Sequence, residues 1–304
     1  MSHTLDAKKE ILDNRPLRAK YKNQQAYGLL LFSRSFSVES VSLTTTHRAI
    51  ARFYASSISS LIPLQGTITT VREDRGRQPL YHVSLDAQQD RWELFNHFAM
   101  LYPEGVTYDL LGGDQGTAAF VGGAFLACGG LSDPAKKYHL EFAVPRQETA
   151  PVLTGVLGEV GFGPKASVRR GLPLIYTHDS GLVEDLLTFM GCPLMALEIM
   201  NIKILKDRRN AANRAANCDN ANIDKVVDAA AAQIAAIQAI GADNLPEDLR
   251  VLARLRLENP GDSLRELGQR LSPPLSRSGV NHRLERIRRL AAEGEDSAGR
   301  KEIP

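Results

Sequence analysis

The chain has 304 residues, 43% of them hydrophobic and 24% charged, with 37 Lys and Arg against 35 Asp and Glu. This length and apolar share suit two or three domains with buried cores and exclude wholesale disorder. Cys128, Cys192 and Cys218 are odd in number, far apart and without a Cys-x-x-Cys, and the histidines form no His-x-x-x-His pair, which argues against a disulfide framework or a transition-metal site.

No metal and no other cofactor is therefore expected. The opening MSHTLDAKKEILDNRPLRAK lacks the apolar centre of a signal peptide, and no later stretch sustains the roughly 18 uncharged apolar residues of a spanning helix. A cytoplasmic protein without a membrane partner is the expectation.

Two stretches of the N-terminal part run alike. NQQAYGLLLFSRSFSVESVSLTTTHRAIARFYASSI and TAAFVGGAFLACGGLSDPAKKYHLEFAVPRQETAPVLTGVL each pass from an apolar helix into alternating residues and on into another helix. The first predicted helix covers Ala26 to Arg34, and Val41 and Leu43 begin its strand pattern. In the second copy the helix holds Val121 to Gly129, and Tyr138, Leu140 and Phe142 alternate with His139 and Glu141, as a half-buried strand requires. Small residues such as Gly122 and Gly123 let the two helices approach closely. The fold class is α+β, a pseudo-duplicated domain with repeats at about 20–100 and 115–205.

Gly161, Gly163 and Gly171 frame Lys165, Arg169 and Arg170, but no Gly-Lys-Ser/Thr follows, so the pattern is a strand pair with a basic turn and not a phosphate loop. Ile199 to Leu205 reads as a strand closing the N-terminal sheet. The next stretch, 206–241, is Ala-rich and helical, with a polar interruption at Cys218-Asp219-Asn220 and a stop at Gly241. Arg208, Arg209, Arg214 and Lys225 make it basic. It reads as a solvated connector, with Arg208, Arg209 and Arg214 as candidates for a secondary DNA contact.

Three short helices follow. LPEDLRVLARLRLENP places Leu249, Leu252 and Ala253 on one face, with Pro246 at its start and Asn259-Pro260 at its end. DSLRELGQRLS has the Ser263-x-x-Glu266 spacing of a capping box, with Leu264, Leu267 and Leu271 as its apolar stripe. After Pro273-Pro274, a third helix begins with Ser276 or Ser278 as N-cap and buries Val280, Leu284, Ile287 and Ala291. Ser278, His282, Glu285, Arg286 and Arg289 fall on its opposite side, with Asn281 and Arg283 on the flanks and Arg277 before the first turn. The pattern is a helix-turn-helix, which by itself suits DNA or a protein partner equally; on DNA its third helix enters the major groove, with Ser278, Asn281, His282 and Arg286 as base contacts and Arg277, Arg283 and Arg289 as phosphate clamps. Charge agrees: residues 1–202 hold 19 Lys and Arg against 20 Asp and Glu, whereas residues 203–292 hold 16 against 11. The module at 242–292 is small but expected to fold by itself, and 293–304 reads as a disordered tail.

The strings GGAFLACGGLSDPAKKYHLEF, NRAANCDNANIDK and SLRELGQRLSPPLSRSGVNHRL, in that order, resemble the WhiA family of bacterial sporulation and cell-division regulators. The resemblance implies a degenerate LAGLIDADG homing-endonuclease-like domain at 1–205, a linker at 206–241 and a sigma-factor-like helix-turn-helix at 242–292. It also implies a transcriptional regulator of cell division, chromosome segregation and sporulation on double-stranded DNA in the nucleoid, with a WhiB-like iron–sulfur protein as a protein partner. An active LAGLIDADG nuclease needs a carboxylate at the end of each central helix to hold Mg²⁺. Those positions are Ser33 and Cys128, and Asp114 and Asp133 nearby read as turn or cap residues, so no enzyme is expected and no catalytic residue is assigned. The alternative is a nucleoid or division-associated adaptor with weak DNA binding.

Overall fold

The computed structural model describes residues 2–14, 19–76 and 78–299, with side chains described for all of these except 75, 219–223 and 294–299. The chain divides into two compact units, Met1–Lys206 and Asp207–Pro304.

The first unit is a duplication. After α1 (His3–Asp13), one copy runs α2 (Lys22–Leu31), β1 (Ser35–Phe36), β2 (Val41–Thr45), α3 (Arg48–Leu61), β3 (Ile68–Arg75), β4 (Gln78–Leu85) and α4 (Gln88–Leu101). A short α5 (Tyr108–Leu111) leads to the second copy: α6 (Gly113–Cys128), β5 (Gly129–Leu131), β6 (Leu140–Ala143), α7 (Ala150–Glu159), β7 (Lys165–Arg169), β8 (Leu172–Thr177) and α8 (Ser180–Phe189). Each copy builds a four-stranded antiparallel sheet of the same order, β1-β2-β4-β3 and β5-β6-β8-β7. Alternation decides which side is buried: Leu43 opposite Val83 in one sheet and Phe142 opposite Ile175 in the other all point into the core.

α2 and α6 cross at the centre, and two glycines make the crossing. A Cβ on Gly28 would lie 2.0 Å from the Phe120 carbonyl oxygen, and one on Gly123 would lie 2.1 Å from that of Gln25. Backbone therefore packs on backbone, and no side chain fits between the helices. The expected strand pair with a basic turn is β7–β8, joined by Arg170 (φ 53°) and Gly171 (φ 81°), both with the positive φ that a two-residue hairpin of this twist demands.

Residues 199–205 form no strand. They lie inside α9 (Pro193–Ile240), a single 48-residue helix whose first turn is capped by Glu10: its carboxylate accepts from the N–H of Leu194 at 2.7 Å and of Met195 at 3.0 Å. Met195, Ala196 and Ile199 are buried while Leu194, Leu197, Ile204 and Leu205 are exposed, a helical period that a run of apolar residues conceals. The helix also continues through 218–220, where the sequence suggested an interruption, and stops at Gly241 (φ 79°).

The second unit packs the end of α9 with α10 (Glu247–Glu258), α11 (Leu264–Arg270) and α12 (Arg277–Gly299). Its core joins Leu249, Leu252, Ala253, Leu267, Leu271, Val280, Leu284 and Ile287 to Ile237 of α9. The stretch expected to be a solvated connector thus supplies a wall of this core. Leu264 and Ala291 are only half-buried, and helix continues to Gly299 where a disordered tail was expected; 300–304 lie outside the described residues.

Candidate nucleic-acid interface

α11, the turn after it and α12 form the helix-turn-helix. Ser263 closes a capping box with Glu266: Ser263 Oγ accepts from the Glu266 N–H at 3.3 Å, and the Glu266 carboxylate accepts from the Ser263 N–H at 2.8 Å, which holds that carboxyl below its usual range. The turn closes through the Leu275 N–H, which donates to the Gly268 carbonyl at 3.0 Å; any Cβ at Gly268 would sit 2.3 Å from the Leu275 oxygen. Of the two serines proposed as cap for α12, Ser276 serves, with Oγ accepting from the Gly279 N–H at 3.2 Å and Ser278 Oγ 2.9 Å away.

With Val280, Leu284 and Ile287 buried, the other sides of α12 are fixed by its period. Ser278, His282 and Arg289 are exposed opposite the core. Arg283 and Arg286 turn toward α10, where Arg283 Nη1 donates to the Asp248 carbonyl and Arg286 Nη1 pairs with Asp248 Oδ2, both at 2.9 Å. Arg277 and Asn281 line the opposite flank, a groove facing α9 and α11. The seven expected contacts therefore share one helix but divide over three directions. Arg208, Arg209 and Arg214 are exposed on α9, at least about 16 Å along the helix axis from Lys225, the α9 residue that lines the groove.

Arg256 escaped the sequence reading. It is 2% exposed, and its guanidinium donates to Gln233 Oε1 at 2.9 and 2.8 Å and to the Asp262 carbonyl at 2.6 Å. This fastens α9, α10 and the loop before α11 into one body. An arginine in an amphipathic run reads as solvated, and its partner lies 23 residues away, so spacing offers no signal.

At the centre of the first unit, Ser33 and Cys128 stand just beyond α2 and at the end of α6. Ser33 Oγ donates back to the Leu30 carbonyl at 2.7 Å, and the apolar surroundings of Cys128 push its thiol up to about 12. Neither presents an anionic oxygen. Asp133 accepts from the Ala135 N–H at 2.9 Å as a turn residue, and Asp114 accepts from the Tyr108 hydroxyl at 2.9 Å. Among the described residues no cluster of His, Cys, Asp and Glu is arranged to hold a metal, and no helix is long and apolar enough to cross a membrane.

A family model described as the WhiA LAGLIDADG-like domain matches residues 117–209, and one described as the WhiA C-terminal HTH domain matches 212–291. A probable cell division protein WhiA from Clostridium botulinum is 33% identical over 282 residues, 88% of each chain. The chain belongs to the WhiA family. A WhiA from Clostridium tetani is similar at 32% identity over 282 residues, again 88% of each chain. The crystal structure of full-length DUF199/WhiA from Thermotoga maritima shares the fold, with a TM-score of 0.55 and 23% identity over 96% of this chain and 98% of that one. The family's C-terminal model begins inside α9, in keeping with the contribution of Gln233 and Ile237 to the second unit.

Proposed function

We propose that the chain is a sequence-specific DNA-binding transcriptional regulator of cell division, chromosome segregation and sporulation, and that it does not cut DNA. The observation that carries this reading is the exposed face of α12: donors and acceptors at Ser278, Asn281 and His282 stand on a capped helix-turn-helix beside Arg277 and Arg289. Arg286 reaches a base by leaving Asp248, and Arg283 grips phosphate from the same flank. The names of the relatives in Clostridium point to division as the process.

The first unit serves as a platform without nuclease chemistry. Two helix ends carrying a hydroxyl and a thiol lack the hard anionic ligands that Mg²⁺ requires. A second reading, an adaptor with weak DNA binding, draws on the outward sheet face of the first copy. There Ser35 bonds Ser42, while Ser84 and Thr69 are held by Asp86, a neutral-to-acidic surface that suits a protein better than phosphates. A WhiB-like iron–sulfur protein is the partner the family resemblance implies. Footprinting of the intact chain at moderate salt tests the proposal: a bounded, sequence-dependent footprint supports the regulator, and uniform weak protection supports the adaptor.

A further inference from the structure

The second unit contains a groove of about 470 Å³ between α9, α11 and the N-terminal half of α12. Lys225 of α9, Arg265 of α11 and Arg277 of α12 line it from three separate helices. All three are exposed, and none has an ion-pair partner among the described residues. Four other arginines of this unit are already paired, Arg254 with Asp243, Arg270 with Asp262, Arg286 with Asp248 and Arg288 with Glu285. Glu285 is the carboxylate that lines the groove, and Arg288 Nη1 at 2.9 Å already neutralises it. Three unpaired cations facing one concavity repel each other, an arrangement that is relieved by a polyanion.

We propose that this groove seats the DNA sugar–phosphate backbone, with Lys225, Arg265 and Arg277 each holding a phosphate of one strand. The proposal rests on the reading of α12 as the DNA-binding helix and extends it to α9, whose role then exceeds that of a spacer. Asn281, one turn beyond Arg277 on the same wall, marks where the groove meets the bases. The Arg256–Gln233 bond is a positioning device here, since it fixes α9 and hence Lys225 against α10.

The test is a salt series of duplex binding by the full-length chain, followed by fluorescence anisotropy, for wild type, Lys225→Ala, Arg265→Ala and the control Arg254→Ala. Each groove variant should weaken preferred and scrambled duplexes by the same several-fold factor and lower the slope of log K against log salt by about 0.9. Arg254→Ala should leave the slope unchanged, and thermal melts should show all variants folded. If the wild type discriminates between duplexes while both groove variants keep its slope, the groove assignment is overturned and the helix-turn-helix reading stands. If the wild type binds no duplex at any salt, the underlying reading fails as well.

Discussion

Lys8 Nζ donates to the carbonyl oxygen of Leu126 at 3.1 Å, beside the end of α6 where a nuclease of this fold would hold its metal. The other central helix is treated alike, since Arg146 Nη2 donates to the Leu31 carbonyl at 2.5 Å, at the end of α2. Built-in cations thus meet the negative ends of both helix dipoles. The first unit should need no divalent ion: chelation should leave its Tm unchanged, and supercoiled plasmid incubated with Mg²⁺ or Mn²⁺ should stay unnicked. Nicking that survives purification and vanishes on mutating Asp114 or Asp133 would contradict this.

Burial lowers Lys8 from 10.5 to about 8, while Cys128 is pushed up from 9.0 to about 12. Between pH 8 and 9 the unfolded chain holds the lysine proton more firmly than the folded one, so stability rises with pH. Above pH 9 the unfolded thiol begins to ionise while the folded one does not, which opposes the gain. Over its full range the lysine contribution is about 3 kcal/mol, present above its unfolded value and lost as pH falls to about 8. Lys8→Met should abolish the rise between pH 8 and 9 in urea melts of the full chain; an unchanged profile would show that Lys8 is not the group responsible.

Gly28→Ala and Gly123→Ala should each be among the most damaging single changes in the first unit. The added methyl meets backbone at 2.0 and 2.1 Å, and neither helix can yield without moving both sheets. Losses above about 3 kcal/mol or failure to fold are expected. Gly155→Ala in α7, where a Cβ meets nothing within 4 Å, should instead stabilise by about 0.5–1 kcal/mol through helix propensity. The contrast is read in parallel thermal melts.

Much of this architecture was visible beforehand, because some residues advertise their role locally. Ser263 and Glu266 sit at capping-box spacing, and Val280, Leu284 and Ile287 repeat at a helical period, so α11 and α12 follow from a short window. The duplication likewise shows as two runs of similar pattern. Ile199 to Leu205 misled because five of its seven residues are apolar and hide the period: Ile199 faces the core while Ile204 and Leu205 face outward, and the cap that starts the helix comes from Glu10, far away in the chain. Arg256 and Lys8 are charged residues whose burial depends on distant partners, Gln233 and Leu126, and no local spacing foretells that.

The boundary of the second unit is testable for the same reason. A fragment of residues 242–304 lacks Ile237 and leaves Arg256 without Gln233, so it should not melt cooperatively, whereas residues 207–304 should. In the full chain Gln233→Ala should cost about 2–3 kcal/mol in that unit, as expected for a buried charged donor left unpaired. A cooperative melt from the shorter fragment would contradict the four-helix core.

On α12, Asn281→Ala or His282→Ala should cost about 1–3 kcal/mol at a preferred duplex and relax discrimination, while Arg289→Ala should weaken all duplexes alike. Asp248→Asn should free Arg286 and tighten binding modestly, because the exposed pair it breaks is worth no more than about 1 kcal/mol. Anisotropy titrations against preferred and scrambled duplexes distinguish these outcomes.

The most direct measurement is a selection from randomised duplexes by the intact chain at moderate salt, with the Asn281→Ala/His282→Ala double variant run in parallel. The account predicts that one motif is enriched by the wild type and that the double variant binds DNA without enriching it. Enrichment of the same motif by the variant, or no enrichment by the wild type, would contradict the assignment of α12 as the helix that reads DNA.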